Sequence, residues 1–132
     1  MIPSTIQAAA LWGGILILLL FVLSGLAAGR RRQMRIPFGD GGQPELSVAV
    51  RAFGNATEYI PAGLCGLILL AFLDTPALLI HVVGGLMFTG RLIHAAALLY
   101  LPGLSLARAA GMSLTWLALL IAGVSLIAWS VL

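Results

Sequence analysis

Charged residues are rare in this chain. Only 8% of its 132 residues are charged, and the seven basic ones are all arginine, whereas hydrophobic residues make up 61%. A soluble domain of this length has too small a core to bury so much apolar surface. The composition therefore excludes a soluble protein and predicts an integral membrane protein.

Signatures of several other classes are missing as well. The single cysteine, Cys65, has no partner for an intramolecular disulfide. There is no basic patch interleaved with aromatic residues of the kind that binds nucleic acid. The chain lacks the HExxH, GxSxG and P-loop motifs, and its two histidines, His81 and His94, would lie about 140° apart around one helix. The sequence therefore gives no support to a metal site, and none is expected.

Four hydrophobic segments are each long enough to cross a bilayer, which takes about 20 helical residues. They lie near residues 8–28, 46–72, 76–101 and 112–132. The predicted fold is all-α: one membrane domain over residues 1–132, built as a four-helix bundle.

The arginines predict how this bundle is oriented. Arg30, Arg31, Arg32 and Arg35 follow the first segment, no charge precedes it, and Arg108 lies before the fourth segment. Because cytoplasmic loops are enriched in basic residues, both of these connections are expected in the cytoplasm and both termini outside it. The first segment is longer than the apolar part of a signal peptide, so we expect it to remain as a helix.

Polar residues inside the second and third segments are candidates for a functional site. Asn55 and Glu58 each fall within about 40° of Arg51 around a helix, and Arg91 would lie at the depth of Glu58 on the antiparallel neighbour. His94 follows Arg91 by one turn. A plain ion pair between Glu58 and Arg91 that fixes helix register is one interpretation. The additional polar groups favour the other, a binding site, because intramembrane charge is usually functional.

The types of side chain indicate what such a site would bind. Guanidinium groups favour carboxylates or phosphates, whereas a deeper glutamate favours an amine or a proton. A ligand that is anionic at one end and zwitterionic overall is therefore predicted.

These residues resemble the MAPEG family, the membrane-associated proteins in eicosanoid and glutathione metabolism. The segment RAFGNATEYIP, residues 51–61, resembles the family signature R-x-x-x-N-x-x-E-x-x-P. Further similarities are the arginine run after the first span, GDGG at residues 39–42, GRLIH at residues 90–94 and an arginine near the start of the fourth span. The similarity is greatest to the bacterial members, which implies a bacterial inner-membrane location.

The resemblance implies a homotrimer that holds glutathione, as co-substrate, in a cytoplasm-facing cleft between subunits. Carried over by position, the glutathione-binding residues would be Arg30, Arg31, Arg51, Asn55, Glu58, Tyr59, Arg91 and His94. Arg108 would face the thiol and activate it. His94 stands where several relatives have a tyrosine. The implied function is a glutathione transferase or peroxidase acting on lipophilic electrophiles from the bilayer lipid.

Two other functions remain open at this point. One is a non-catalytic membrane scaffold or adaptor, which the family also contains. The other is a small drug/proton antiporter, but that class carries its essential glutamate in the first span, and here the first span has no charge.

Overall fold

The computed structural model describes residues 4–101, 103 and 105–131. It contains four α-helices, α1 (Thr5–Met34), α2 (Pro44–Phe72), α3 (Ala77–Tyr100) and α4 (Leu106–Ser130). Each helix is long and apolar enough to cross a membrane. The predicted class is confirmed: the chain is an integral membrane four-helix bundle.

The helices differ from the predicted spans mainly at their ends. α1 runs to Met34 instead of residue 28, and α4 begins at Leu106 instead of residue 112. Arg108, predicted in a loop, therefore lies in the first turn of α4. The spans were defined by apolar composition, but arginine is a good helix former and a helix continues into the headgroup layer. The predicted end of the fourth span, Leu132, lies outside the described residues.

Local sequence signals account for the helix ends. Ser4 and Gln7 form a capping box at the start of α1, and Ser105 accepts the backbone N–H of Arg108 at the start of α4. Proline occupies the first position of α2, where its missing N–H has no cost. At the other end of α1, Arg35 adopts a left-handed conformation with φ 57° and turns the chain away from the helix axis.

α2 and α3 form the centre of the bundle. Each contacts the other three helices, whereas α1 and α4 do not contact each other within the described residues. The core of the bundle is filled by apolar side chains such as Leu16, Ile60, Leu67 and Met87.

The backbones of α3 and α4 cross in close contact. A Cβ added at Gly111 would lie 2.6 Å from the backbone nitrogen of His94, and one at Gly90 would lie 2.8 Å from the Gly111 carbonyl oxygen. Only glycine allows the two backbones to approach this closely. The contact places His94 and Arg91 of α3 against the first turns of α4.

Candidate functional site

Arg91 lies at the centre of a buried polar network at this crossing. Its side chain is only 1% exposed. Nη1 donates to Asn55 Oδ1 on α2 at 2.6 Å, and Nε donates to Thr115 Oγ1 on α4 at 2.8 Å. Nη2 lies 3.6 Å from the Met112 sulfur. A buried charge is tolerated only when its donors find acceptors, and here one arginine draws α2, α3 and α4 together.

Two further contacts complete the surroundings of the guanidinium group. The Tyr59 ring on α2 lies beneath it, with the guanidinium carbon 4.9 Å from the ring centroid, which is a cation–π geometry. The Thr115 hydroxyl donates to the Gly111 carbonyl at 2.9 Å. That bond leaves the hydroxyl oxygen free to accept from Arg91. Tyr59 therefore contacts Arg91, a role that the sequence did not indicate.

Glu58 is connected to Arg91 through Asn55. The amide nitrogen of Asn55 donates to Glu58 Oε2 at 3.4 Å, while its oxygen accepts from Arg91. The hydrogen bonds of Arg91 go to Asn55, Thr115 and Met112 rather than to Glu58, so the simple interpretation as a direct ion pair is wrong. Glu58 is itself exposed and presents its carboxylate on the outside of the bundle.

His94 connects the network to the N-terminus of α4. Its Nδ1 lies 3.1 Å from the Arg108 carbonyl oxygen. Because a carbonyl oxygen can only accept, Nδ1 carries the proton, and in the neutral ring Nε2 is left as an acceptor. The charges of Arg91, Arg108 and Arg51 all lie within electrostatic range of this ring. Three cationic side chains therefore lie near His94.

Arg51 lies beside a cleft near the α1–α2 loop. The cleft has a volume of about 410 Å³ and is lined by Arg51, Gly54, Val50, Ser47, Asp40 and Gly39. Asp40 accepts the backbone N–H of Gly42 at 3.0 Å. This bond, together with one from the Ser47 hydroxyl, lowers the pKa of Asp40 from its ordinary value of 3.8. The cleft thus presents one cation, Arg51, and one anion, Asp40.

Three of the predicted site arginines donate hydrogen bonds to backbone carbonyl groups. Arg30 donates to the carbonyl of Glu45 at the start of α2, and Arg31 donates to that of Gly39 in the α1–α2 loop. The Arg108 guanidinium group donates to the Gly103 carbonyl at 3.0 Å. Arg30 and Arg31 therefore hold the loop that carries Asp40, and the Arg108 side chain is directed toward the α3–α4 connection.

The structure adds three residues that the sequence interpretation did not include. Thr115 and Met112 contact Arg91, and Asp40 lines the Arg51 cleft. The sequence did offer an indication of Thr115, because it lies one turn after Gly111 on the face of α4 that meets α3. Asp40 was included in the sequence analysis only as part of the GDGG segment. Both contacts depend on how the helices cross, which periodicity within one segment does not specify.

The structure separates His81 from this site. His81 accepts a hydrogen bond from Trp12 Nε1 at 3.0 Å, and a Cβ at Gly84 would meet the same tryptophan. It therefore joins α1 to α3 near the beginning of α3, more than three turns from His94. The two histidines do not share a site.

Comparison with known proteins identifies the family. The MAPEG family profile matches residues 9–128. Inner membrane protein YecN of Escherichia coli strain K12 is 35% identical over 115 residues, which cover 87% of this chain and 86% of that protein. YecN of E. coli O6:H1 strain CFT073 aligns with the same identity and coverage. No solved structure gave a significant match. The match extends across all four helices and includes every residue of the Arg91 network, and the chain therefore belongs to the MAPEG family.

Proposed function

We propose that this protein binds glutathione beside the Arg91 network and directs its thiolate to lipophilic electrophiles. The observation that carries the proposal is the position of two opposite charges, Arg51 and Glu58. Both are exposed on the same stripe of α2, with Asn55 between them fixed by Arg91. The chain thus presents one positive and one negative side chain next to the buried Arg91 network.

The charges match those of glutathione. The tripeptide carries two carboxylates and one ammonium group at neutral pH, while its thiol remains protonated. Arg51 suits a carboxylate, and Glu58 or Asp40 suits the ammonium group. The cleft beside Arg51, about 410 Å³, has the size typical of small-ligand sites. These features support a zwitterionic ligand over a simple anion.

The N-terminus of α4 offers a place for the sulfur. No acidic residue occupies its first turn, and Arg108 lies there together with the positive end of the helix dipole. A free thiol has a pKa near 8.5, and a lowering by about 2 corresponds to about 2.7 kcal/mol in favour of the anion. The Arg108 guanidinium group would leave the Gly103 carbonyl to make this contact.

The proposed reaction is a nucleophilic substitution or addition. The thiol proton passes to water as the thiolate forms, and the sulfur then donates an electron pair to an electrophilic carbon, forming a thioether. In a substitution, the leaving group departs with its bonding electrons. In an addition, the electrons of the broken π bond move to the neighbouring atom, which takes up a proton from water. A lipophilic substrate would reach the sulfur from the bilayer that surrounds the apolar helices.

A homotrimer would complete the site. Arg51 and Glu58 face outward from their own bundle, so one copy encloses a ligand on one side only. A neighbouring copy packed against α2 would exclude water from the other side and strengthen the charged contacts.

The thiolate absorbance of bound glutathione in the ultraviolet tests this proposal. Wild type should show it at neutral pH. Arg108→Leu should abolish it while changing glutathione affinity only several-fold, because Arg51 and Glu58 still hold the ligand. Arg32→Leu removes an arginine at the same end of the bundle and is the matched control. Equal thiolate absorbance in Arg108→Leu and wild type would reject Arg108 as the activating residue, and His94 would be tested next.

A non-catalytic scaffold of the same fold is the second candidate. It is favoured by one observation: Arg91 finds its hydrogen-bond acceptors within the chain, so the network needs no ligand to be stable. A folded wild-type protein that fails to bind glutathione would support the scaffold and reject the enzyme.

A further inference from the structure

A second cleft, lined by arginines and apolar residues, lies at the C-terminal end of α1. It has a volume of about 550 Å³ and is lined by Ala28, Arg31, Arg32, Arg35, Ile36 and Pro37. It shares no lining residue with the Arg51 cleft. Three of its six lining residues are arginines and none is acidic, while the other three provide an apolar wall.

The position of this cleft along α1 corresponds to the lipid headgroups. The apolar part of α1, residues 8–28, spans about 31 Å at 1.5 Å per residue, which matches the hydrocarbon core of a bilayer. The arginine run begins at Arg30, two residues after Ala28. A cleft at this level opens toward phosphate groups above the acyl chains.

Arg32 and Arg35 are the side chains available to a ligand there. Both are exposed, whereas the neighbouring Arg30 and Arg31 donate to carbonyl groups of Glu45 and Gly39. The left-handed turn at Arg35 folds the chain back after α1, because its backbone N–H contacts the Arg31 and Arg32 carbonyls. This turn brings Ile36 and Pro37 beside the arginines as the apolar wall.

We propose that this cleft binds the phosphate of an anionic phospholipid. Guanidinium groups form bidentate hydrogen bonds with phosphate oxygens, and basic clefts beside membrane helices suit acidic headgroups. Arginines at a helix C-terminus also complement the helix dipole, but that effect does not require a cleft or an apolar wall. The combination fits a ligand with a phosphate at one end and hydrocarbon at the other. Arg32 and Arg35, the two arginines assigned to this ligand, are not among the proposed glutathione contacts, so the two proposals can fail separately.

Lipid retention by the purified protein tests the site. Detergent-solubilised full-length protein is titrated with phosphatidylglycerol or with phosphatidylcholine of the same acyl chains, and bound lipid is counted by native mass spectrometry. Wild type should retain phosphatidylglycerol preferentially. The double variant R32Q/R35Q should bind it about thirtyfold more weakly, since each arginine near an anionic headgroup contributes about fivefold. Glutamine is used at Arg35 because it is a non-glycine residue like arginine. The backbone preference at this left-handed position is therefore kept.

The control variant is R51Q/R108Q. It also loses two positive charges, but at positions outside the cleft. It should retain phosphatidylglycerol within about threefold of wild type. Equal losses in both double variants would show an effect of net charge alone and overturn the proposal. Equal binding of phosphatidylcholine, or competition by inorganic phosphate at the same concentration as the lipid, would also overturn it. If R32Q/R35Q does not fold, R32K/R35K replaces it. This variant should bind phosphatidylglycerol severalfold more weakly than wild type, because lysine lacks the bidentate geometry of arginine. Unchanged binding would contradict the site.

Discussion

Arg91 shows how hydrogen bonds from neighbouring helices stabilise a buried charge inside a membrane bundle. Its acceptors come from two other helices, Asn55 on α2 and Thr115 on α4. Neither acceptor is charged, so the cation is not neutralised by its direct partners, and the negative charge of Glu58 remains one hydrogen bond away. An arginine held in this way fixes Asn55 and Tyr59 while leaving Glu58 free for a ligand.

Removing one acceptor of Arg91 should destabilise the protein. Thr115→Val keeps the shape of the side chain but leaves the Arg91 Nε–H without its acceptor, at a cost of about 1–3 kcal/mol. Thr57→Val is the matched control, because the exposed Thr57 hydroxyl donates its hydrogen bond to the Gly54 carbonyl of its own helix. It should change stability by less than about 0.5 kcal/mol. Thermal unfolding in detergent measures both, and equal midpoints for the two variants would contradict the importance of this bond.

Asp40 makes the Arg51 cleft sensitive to acid. Its pKa is lowered by the Gly42 N–H and the Ser47 hydroxyl, so it contributes stability that is fully present above its unfolded value of 3.8. That contribution is lost as the pH falls through the lower folded pKa. Wild type should therefore unfold at a higher temperature than Asp40→Asn between about pH 5 and 7, and the two should converge in stronger acid. A difference that widens on acidification would contradict this assignment.

At the scale of helices, the α3–α4 crossing positions the site. Gly90 and Gly111 let the backbones meet, and this contact aligns Arg91 with Thr115 and His94 with the Arg108 carbonyl. By contrast, Gly25 and Gly29, which are spaced as GxxxG on α1, have no atom from another described part of the chain within 4 Å of an added Cβ. Spacing alone therefore does not identify the close crossing.

A methyl group at this crossing should separate the two helices. Gly111→Ala would place its Cβ 2.6 Å from the His94 nitrogen, and the forced movement should cost about 1–3 kcal/mol. Gly123→Ala on the same helix meets nothing within 4 Å, and should be neutral or more stable by up to about 1 kcal/mol through helix propensity. Thermal unfolding compares them; a stable Gly111→Ala variant would show that the crossing is looser than described.

The sequence predicted the elements better than their contacts. Hydrophobic length was sufficient for four helices, and the stripe of Arg51, Asn55 and Glu58 identified the polar face of α2. The direct ion pair between Glu58 and Arg91 was wrong because matched depth does not specify the rotation of two helices about their axes. Asn55, on the same stripe, accepts a hydrogen bond from Arg91 and takes the contact that the ion-pair interpretation gave to Glu58.

At the scale of the whole molecule, the arginines accumulate at one end of the bundle. The end of α1 and the start of α4 carry five of the seven arginines, and we expect this end to face the cytoplasm. Single cysteines in a Cys65→Ala background test the orientation. A cysteine at Ser130 should react with an impermeant maleimide in intact spheroplasts, and one at Gln33 only after permeabilisation. The reverse pattern would move the proposed glutathione site to the other side of the membrane.

Calorimetric titration with glutathione tests the central claim most directly. Wild-type protein in detergent should give saturable heat of binding. Glu58→Gln should weaken the affinity at least tenfold, about 1.4 kcal/mol, because the ammonium group loses its counter-charge. Glu45→Gln, the same change at an exposed position in the first turn of α2, should stay within about threefold of wild type. Absence of saturable binding by folded wild type, or equal affinities for Glu58→Gln and wild type, would contradict a glutathione site beside the Arg91 network.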